Sequence, residues 1–404
     1  MLIRLALRNV FRQTVRTAMT LAAIVFGVAG LIVSGGFIQD IFVQLGEAII
    51  HSQTGHVQVF RKDFVELGTR HPERFLIDQP EKVVERIQAL PEVDAVSARL
   101  SFSGMLNNGR RDLGVIGEGI EPDKEARLGS FLRIIQGRQL TDQDDYGMIV
   151  GEGVAHSLGL QTGDTITLLM NTAEGALNTL EFEVVGVFQS FSLEFDARAV
   201  RIPLAAAREL MFTDKANLLV ATLHRTEDTT SALGRIREII DTTTLEARDW
   251  RMLSDFYEKT IDLYERQFGV LQVIILFMVL LSVANSVNMS VFERMSEFGT
   301  LLALGNRRRD IFRLIVLENL ILGVIGAALG VAVGLSIAVI VSAVGIPMPP
   351  PPNANVGYTA YIRIMPADVL TAALIGLAAT VLAALLPARR SSAASVVDAL
   401  RQGT

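Results

Sequence analysis

Between Gln267 and Phe292 the sequence carries no charged residue over 26 positions. A helix rises about 1.5 Å per residue, so this run is long enough to cross the roughly 30 Å hydrocarbon core of a bilayer. Three further apolar runs are long enough as well, 17–39 and 369–388 without charge and 311–343 with only Arg313 and Glu318, and four such runs exclude an ordinary soluble fold. Charge is segregated around them. Residues 40–266 hold 24 basic and 37 acidic residues, whereas the rest of the chain holds 13 basic and 6 acidic ones. The sequence thus predicts an α-helical membrane protein with four spans and one large acidic α+β domain inserted between the first span and the second.

Residues 1–16 carry Arg4, Arg8, Arg12 and Arg16 and no acid. A spacing of four sets these along one side of an amphipathic cytoplasmic helix, which fixes topology and can dock on a membrane surface. The first span (17–39) exceeds a signal-peptide core in length and reads as a retained anchor. Its Ala23, Gly27, Gly30 and Ser34 allow close helix packing. Within the 40–266 domain, two βαβ-like parts (about 48–106 and 200–252) flank a β-rich insertion (about 107–200). In the first part, His56–Phe60 reads as a strand, Pro80–Leu90 as a helix and Val93–Leu106 as a strand. The second part gives a strand over 217–224, a helix over 230–240 and a strand over 246–253. From Ser254 a helical stretch runs into the second span (267–292) as a stalk. That span ends in a polar stripe of Ser282, Asn285, Ser286 and Met289, suited to helix packing.

A charged cytoplasmic loop (293–310) follows, with Glu293, Arg294 and Glu297, an apolar patch of Phe298, Leu301, Leu302 and Leu304, a stop at Gly305-Asn306, and Arg307, Arg308 and Arg309. The third span (311–343) carries Gly326, Gly330 and Gly334, a doubled GxxxG ridge for close packing, and Glu318, an intramembrane charge that calls for a partner. Arg313 or lipid headgroups are the expected partners, in a structural rather than a proton-relay role. Residues 344–368 form a Pro-rich outer loop with five prolines between Pro347 and Pro352, which exclude a regular helix. The fourth span (369–388) closes at Pro387, and 389–404 is a cytoplasmic tail. Arginines crowd the N-terminal flank, the 293–318 connection and the tail, while the 344–368 loop has only Arg363. This places both termini in the cytoplasm and the large domain outside.

Several chemistries are excluded. No lysine follows a glycine, so no GxxxxGK[ST] phosphate loop exists. No HExxH or GxSxG pattern occurs, the clustered Asp142, Asp144 and Asp145 lack a calcium-loop pattern, and there is no cysteine. His51 and His56 read as an ordinary surface pair. No catalytic residue and no metal site are expected.

The segment NMSVFERMSEFGTLLALGNRRRDIFRLIVLENLILGVIGAALG, the N-terminal LALRNVFRQTVRTAMTLAAIVFGV and the closing LPARRSSAASVVDALR resemble the FtsX-like permeases of the MacB and lipoprotein-releasing (LolC/LolE) type, membrane subunits of ABC transporters. The likeness covers the whole chain. It departs from the family at Val396, where proline is usual. The resemblance implies a dimer of permease subunits, homo- or heterodimeric, docked on two copies of a separate ABC ATPase. This chain then binds no cofactor, ATP and Mg lie in the partner, and the chain is not itself an enzyme. It implies a coupling helix between Glu293 and Gly305, with Glu293, Arg294, Glu297, Phe298, Thr300, Leu301 and Leu304 at motif positions. It also implies Porter-like and Sabre-like subdomains in the outer domain and residence in the bacterial inner membrane.

The function implied is extraction or export of a lipoprotein, lipid or other amphiphilic cargo by mechanotransmission, with a periplasmic carrier or adaptor as a further partner and no nucleic acid. A signalling subunit that activates a cell-wall hydrolase or another envelope protein is the alternative. A membrane-anchored sensor without an ATPase is a third reading, which the basic coupling loop opposes.

Overall fold

A computed structural model describes residues 2–12, 14–68, 71–128, 132–350 and 357–393. The chain opens with α1 (Leu2–Arg12) and α2 (Thr14–Ile49), then β1 (Val57–Arg61), α3 (Pro80–Gln88), β2 (Val93–Asn107), β3 (Asp112–Ile120) and α4 (Pro122–Leu128). It continues through β4 (Arg133–Gly137), β5 (Gly147–Gly151), β6 (Thr165–Asn171), β7 (Leu177–Gln189) and β8 (Ala199–Pro203). Next come α5 (Leu204–Met211), β9 (Leu218–Leu223), α6 (Thr229–Ile239) and β10 (Leu245–Asp249). The last helices are α7 (Asp255–Glu293), α8 (Met295–Ala303), α9 (Arg308–Val344) and α10 (Pro366–Ala393). Two compact units result: a sheet unit of 43–259 with 348–358, and a helical unit of the remainder.

In the sheet unit the strand order is β10-β1-β9-β2-β3-β8-β5-β7-β4, with β6 pairing β2 and β7. β1-α3-β2 and β9-α6-β10 interleave, because β9 lies antiparallel between β1 and β2. This is the split βαβ arrangement. All six residues of β9 are buried, as a strand paired on both edges and covered on its faces requires. β2 is 15 residues long and is shared: its first half pairs β9, its second half pairs β3 and β6. A side chain at Gly117 of β3 would meet the Phe102 ring at 2.0 Å, so glycine there lets a buried aromatic lie flat on the sheet. The sequence predicts a strand through 246–253; the strand ends at Asp249, whose carboxylate accepts from Met252 N–H and caps a helical turn over Trp250–Leu253.

Arg99 is fully buried in this unit. Its guanidinium donates to both oxygens of Glu125 at 2.7 and 2.8 Å, to Glu118 at 3.2 Å and to the Gln53 carbonyl at 2.6 Å. Arg201 donates to Glu118 and to the Ser52 carbonyl. Two arginines and two glutamates thus tie the turn Ile50–Thr54 to β2, β3, β8 and α4. Burial alone would raise the Glu125 carboxyl, but the Arg99 and Arg201 charges outweigh it and hold the group below its ordinary range. His56 is buried as well, which corrects the surface reading: its Nδ1 accepts from Leu223 N–H and its Nε2 faces Thr226 Oγ1.

Four helices, α2, α7, α9 and α10, are long and apolar enough to cross a membrane. Gly326, Gly330 and Gly334 of α9 pack on α2, where added side chains would meet Ile24, Val28 and Ala29. Gly27 of α2 packs on Val279 of α7, whereas Gly30 of the same stripe has open space beside it, with nothing within 4 Å of an added side chain. Asn285 does not share in this packing. The buried stripe of α7 is Val279, Val283, Val287 and Val291, and a residue two positions from Val283 lies about 200° round the helix. Asn285, Ser282 and Met289 are therefore exposed, and Ser286 alone of the polar stripe turns inward, 2.5 Å from Thr20 Oγ1. The fourth helix does not stop at Pro387 but continues to Ala393, where Ser391 Oγ donates to the Pro387 carbonyl. Proline removes one ladder bond without necessarily ending a helix supported by its neighbours. Asp40, buried in α2, receives Arg363 Nε at 2.9 Å and Tyr361 N–H at 2.8 Å, which pins the chain returning from the Pro-rich loop. Pro351, Pro352 and the tail beyond 393 lie outside the described residues.

Candidate functional site

The charged loop after the second span folds into α8, nine residues between two long helices. Nine residues make a marginal helix by hydrogen bonding alone, so its position depends on side chains at its base. Arg294 supplies most of that anchorage. It is 9% exposed, and its Nη1 donates to Glu318 Oε2 at 2.8 Å while its Nε donates to Glu297 Oε2 at 3.1 Å. The guanidinium also lies 5.1 Å from the centroid of the Phe298 ring, which is 2% exposed. Glu318 thus has its partner in Arg294 rather than Arg313. Arg313 and Glu318 are five apart on one helix, about 140° round, and face different directions.

The other Glu318 oxygen accepts from Asn9 Nδ2 at 2.6 Å. Arg12 reaches Glu297 at 3.2 Å and Arg16 reaches Glu293 at 2.5 Å. Arg12 lies on α1 and Arg16 on α2. Beside these pairs is a polar cavity of about 40 Å³, lined in part by Thr20, Ser286, Ser290 and Asn319. Asn319 is buried and its Oδ1 has no partner among the described residues. Such a space has the size and polarity to hold water.

The motif positions therefore divide. Glu293, Arg294, Glu297 and Phe298 are engaged with the spans and the N-terminal segment, and Leu301 is half-buried among the span residues. Thr300 is exposed, its hydroxyl donating to the Ser296 carbonyl. Leu304 is 76% exposed, and Gly305, at φ 98°, turns the chain in a conformation that other residues rarely adopt. Arg307, Arg308 and Arg309 are exposed beside it. An exposed apolar tip with three cations following it thus ends a helix fixed at its base. Asn9, Arg12 and Arg16 are the site residues that sequence reasoning missed. The available signal was a block of bases without acids facing a segment whose acids had no partners of their own.

Residues 17–239, more than half of the chain, match the MacB-like periplasmic core domain, and residues 269–396 match the FtsX-like permease C-terminal region. This chain belongs to the MacB-like, FtsX-type family of ABC-transporter permeases. The lipoprotein-releasing system transmembrane protein LolC of Neisseria meningitidis is 25% identical to this permease over 98% of this chain and 95% of that protein. The macrolide export ATP-binding/permease protein MacB of Hyphomonas neptunium is 24% identical over 98% of this chain, which spans 60% of that protein. The crystal structure of the periplasmic region of MacB from Actinobacillus actinomycetemcomitans aligns with 53% of this chain and 95% of its own, at 15% identity and a TM-score of 0.39. The permease is a multi-pass membrane subunit with a periplasmic-type domain, and membership of an ABC-transporter family implies an ATPase that holds ATP and magnesium.

Proposed function

We propose that this permease pairs with a second permease subunit and docks two copies of an ABC ATPase on the exposed tip of α8, and that ATP-driven motion there drives the sheet unit to release a lipoprotein or lipid from the outer face of the inner membrane. The observation that carries the reading is the division of the coupling segment. Arg294 and Phe298 bind its base to the spans, while Leu304 stands exposed among arginines 307–309. Arginine excess on this side supports a cytoplasmic position for the tip and both termini, with the sheet unit in the periplasm. One relative matched along nearly the whole of both chains is a lipoprotein-releasing protein, which supports an acylated cargo over a small drug.

Leu304→Asp tests the docking reading. In proteoliposomes containing the permease with its co-purified ATPase, the variant inserts normally but loses ATP-dependent release of an acylated protein and most of the ATPase yield. Wild-type release by Leu304→Asp would remove the tip from the mechanism.

A further inference from the structure

Three acids of the coupling region each take a partner from residues 9–16: Glu318 from Asn9, Glu297 from Arg12 and Glu293 from Arg16. These contacts differ in kind. Glu318 is 7% exposed, and its two oxygens are divided between Asn9 and Arg294, so one carboxylate joins α1, the base of α8 and α9. The Arg12 and Arg16 pairs are more open to solvent and are correspondingly weak. They follow the buried bond along the N-terminal segment and favour one alignment of it. Thr20 and Ser286 extend the contact a turn further along α2 and α7.

We propose that Asn9 and Arg12 of α1 and Arg16 of α2 form a strap that positions the coupling helix, the three acting as positioning residues for transmission. The proposal rests on the coupling reading given above and changes its mechanics. α2 is remote in sequence from α8, yet through the strap it moves with that helix instead of waiting for motion to pass along α7 or α9. The strap also assigns Glu293 and Glu297 to the permease itself: their charges hold the N-terminal segment and do not recruit the ATPase.

Charge exchange separates these roles. Glu293→Arg and Glu297→Arg each lower cargo released per ATP hydrolysed several-fold with ATPase co-purification unchanged. Arg16→Glu/Glu293→Arg recovers most of the loss, whereas Arg12→Glu/Glu297→Arg recovers less, because Glu297 also holds Arg294. Doubles as defective as their parent single variants, or singles that shed the ATPase, would overturn the strap. Pulsed electron paramagnetic resonance on the full chain in membranes gives a readout that needs no ATPase. Spin labels at Arg8 and Thr300, both exposed, report a narrow distance distribution that broadens in Asn9→Leu. An unchanged distribution in Asn9→Leu would sink the proposal even if that variant lost transport. If the exchanges fail while Leu304→Asp still uncouples, the strap alone is wrong; if Leu304→Asp transports normally, the docking reading falls first.

Discussion

Buried ionisable side chains in this permease are held by partners distant in sequence, and His56 shows what such burial costs. Its Nδ1 accepts from Leu223 N–H at 3.2 Å, so Nε2 carries the proton and donates to Thr226 Oγ1 at 3.0 Å; the Thr226 hydroxyl in turn donates to Glu47 at 2.7 Å. Burial, with a smaller contribution from the nearby His51 charge, lowers the imidazole to about 4. An unfolded histidine titrates near 6.5. Above that pH both states are neutral and stability is complete. As pH falls from 6.5 towards 4 the unfolded chain binds the proton first, and the sheet unit loses about 3 kcal/mol through this residue alone. Denaturant midpoints at pH 7 and pH 5 should fall further for the wild type than for His56→Gln, since other histidines contribute equally to both. Parallel pH dependence would show that His56 is not held neutral. None of this was legible in the sequence, where His51 and His56 read as a surface pair. Arg99 was similarly hidden, because its partners Glu118 and Glu125 lie 19 and 26 residues away and only the fold of β2 on β3 brings them together.

At the level of elements, hydropathy and periodicity were informative where one face of a segment decides the structure. Four helices are long and apolar enough to cross a membrane, as hydropathy predicts, and β2 (Val93–Asn107) covers the strand read at 93–106. Faces were less legible than elements. A GxxxG ridge announces close packing but not its partner, and nothing in the sequence shows that the α7 valine stripe, not Asn285, faces inward. The ridge is nevertheless specific in its consequence. At Gly330 a side chain would meet Val28 Cβ at 2.7 Å and the Val25 backbone at 3.3 Å, whereas at Gly35, also in a span, nothing lies within 4 Å. Gly330→Leu should separate α9 from α2 and cost about 1–3 kcal/mol as an overpacked contact. Gly35→Ala should be neutral or stabilise by roughly 0.5–1 kcal/mol through helix propensity. Thermal denaturation of the purified permease followed by helical circular dichroism compares them. Equal stability of the two variants would mean that the ridge is not an interface.

For the molecule as a whole, orientation follows from charge and not from the fold, since a helical unit of four spans has no intrinsic inside. Arginine dominates the N-terminal flank, the α8 region and the segment after the fourth span, and the loop on the other side holds Arg363 alone, itself paired with Asp40. Short basic loops stay in the cytoplasm because moving them across the membrane is costly, whereas a long acidic domain crosses largely irrespective of its charge. The absence of cysteine makes this directly measurable, as any introduced thiol is unique. Leu177→Cys lies on an exposed residue of β7 and Ala303→Cys at the exposed end of α8. A membrane-impermeant maleimide added to spheroplasts should label Leu177→Cys at once and Ala303→Cys only after permeabilisation. Reversed labelling would put α8 outside, where no ATPase could reach Leu304, and docking and strap would lose their purpose together. Labelling of both sites in sealed spheroplasts would mean a mixed insertion, against the arginine asymmetry. The coupling reading thus depends on a few positive charges outside the spans as much as on the helix they surround.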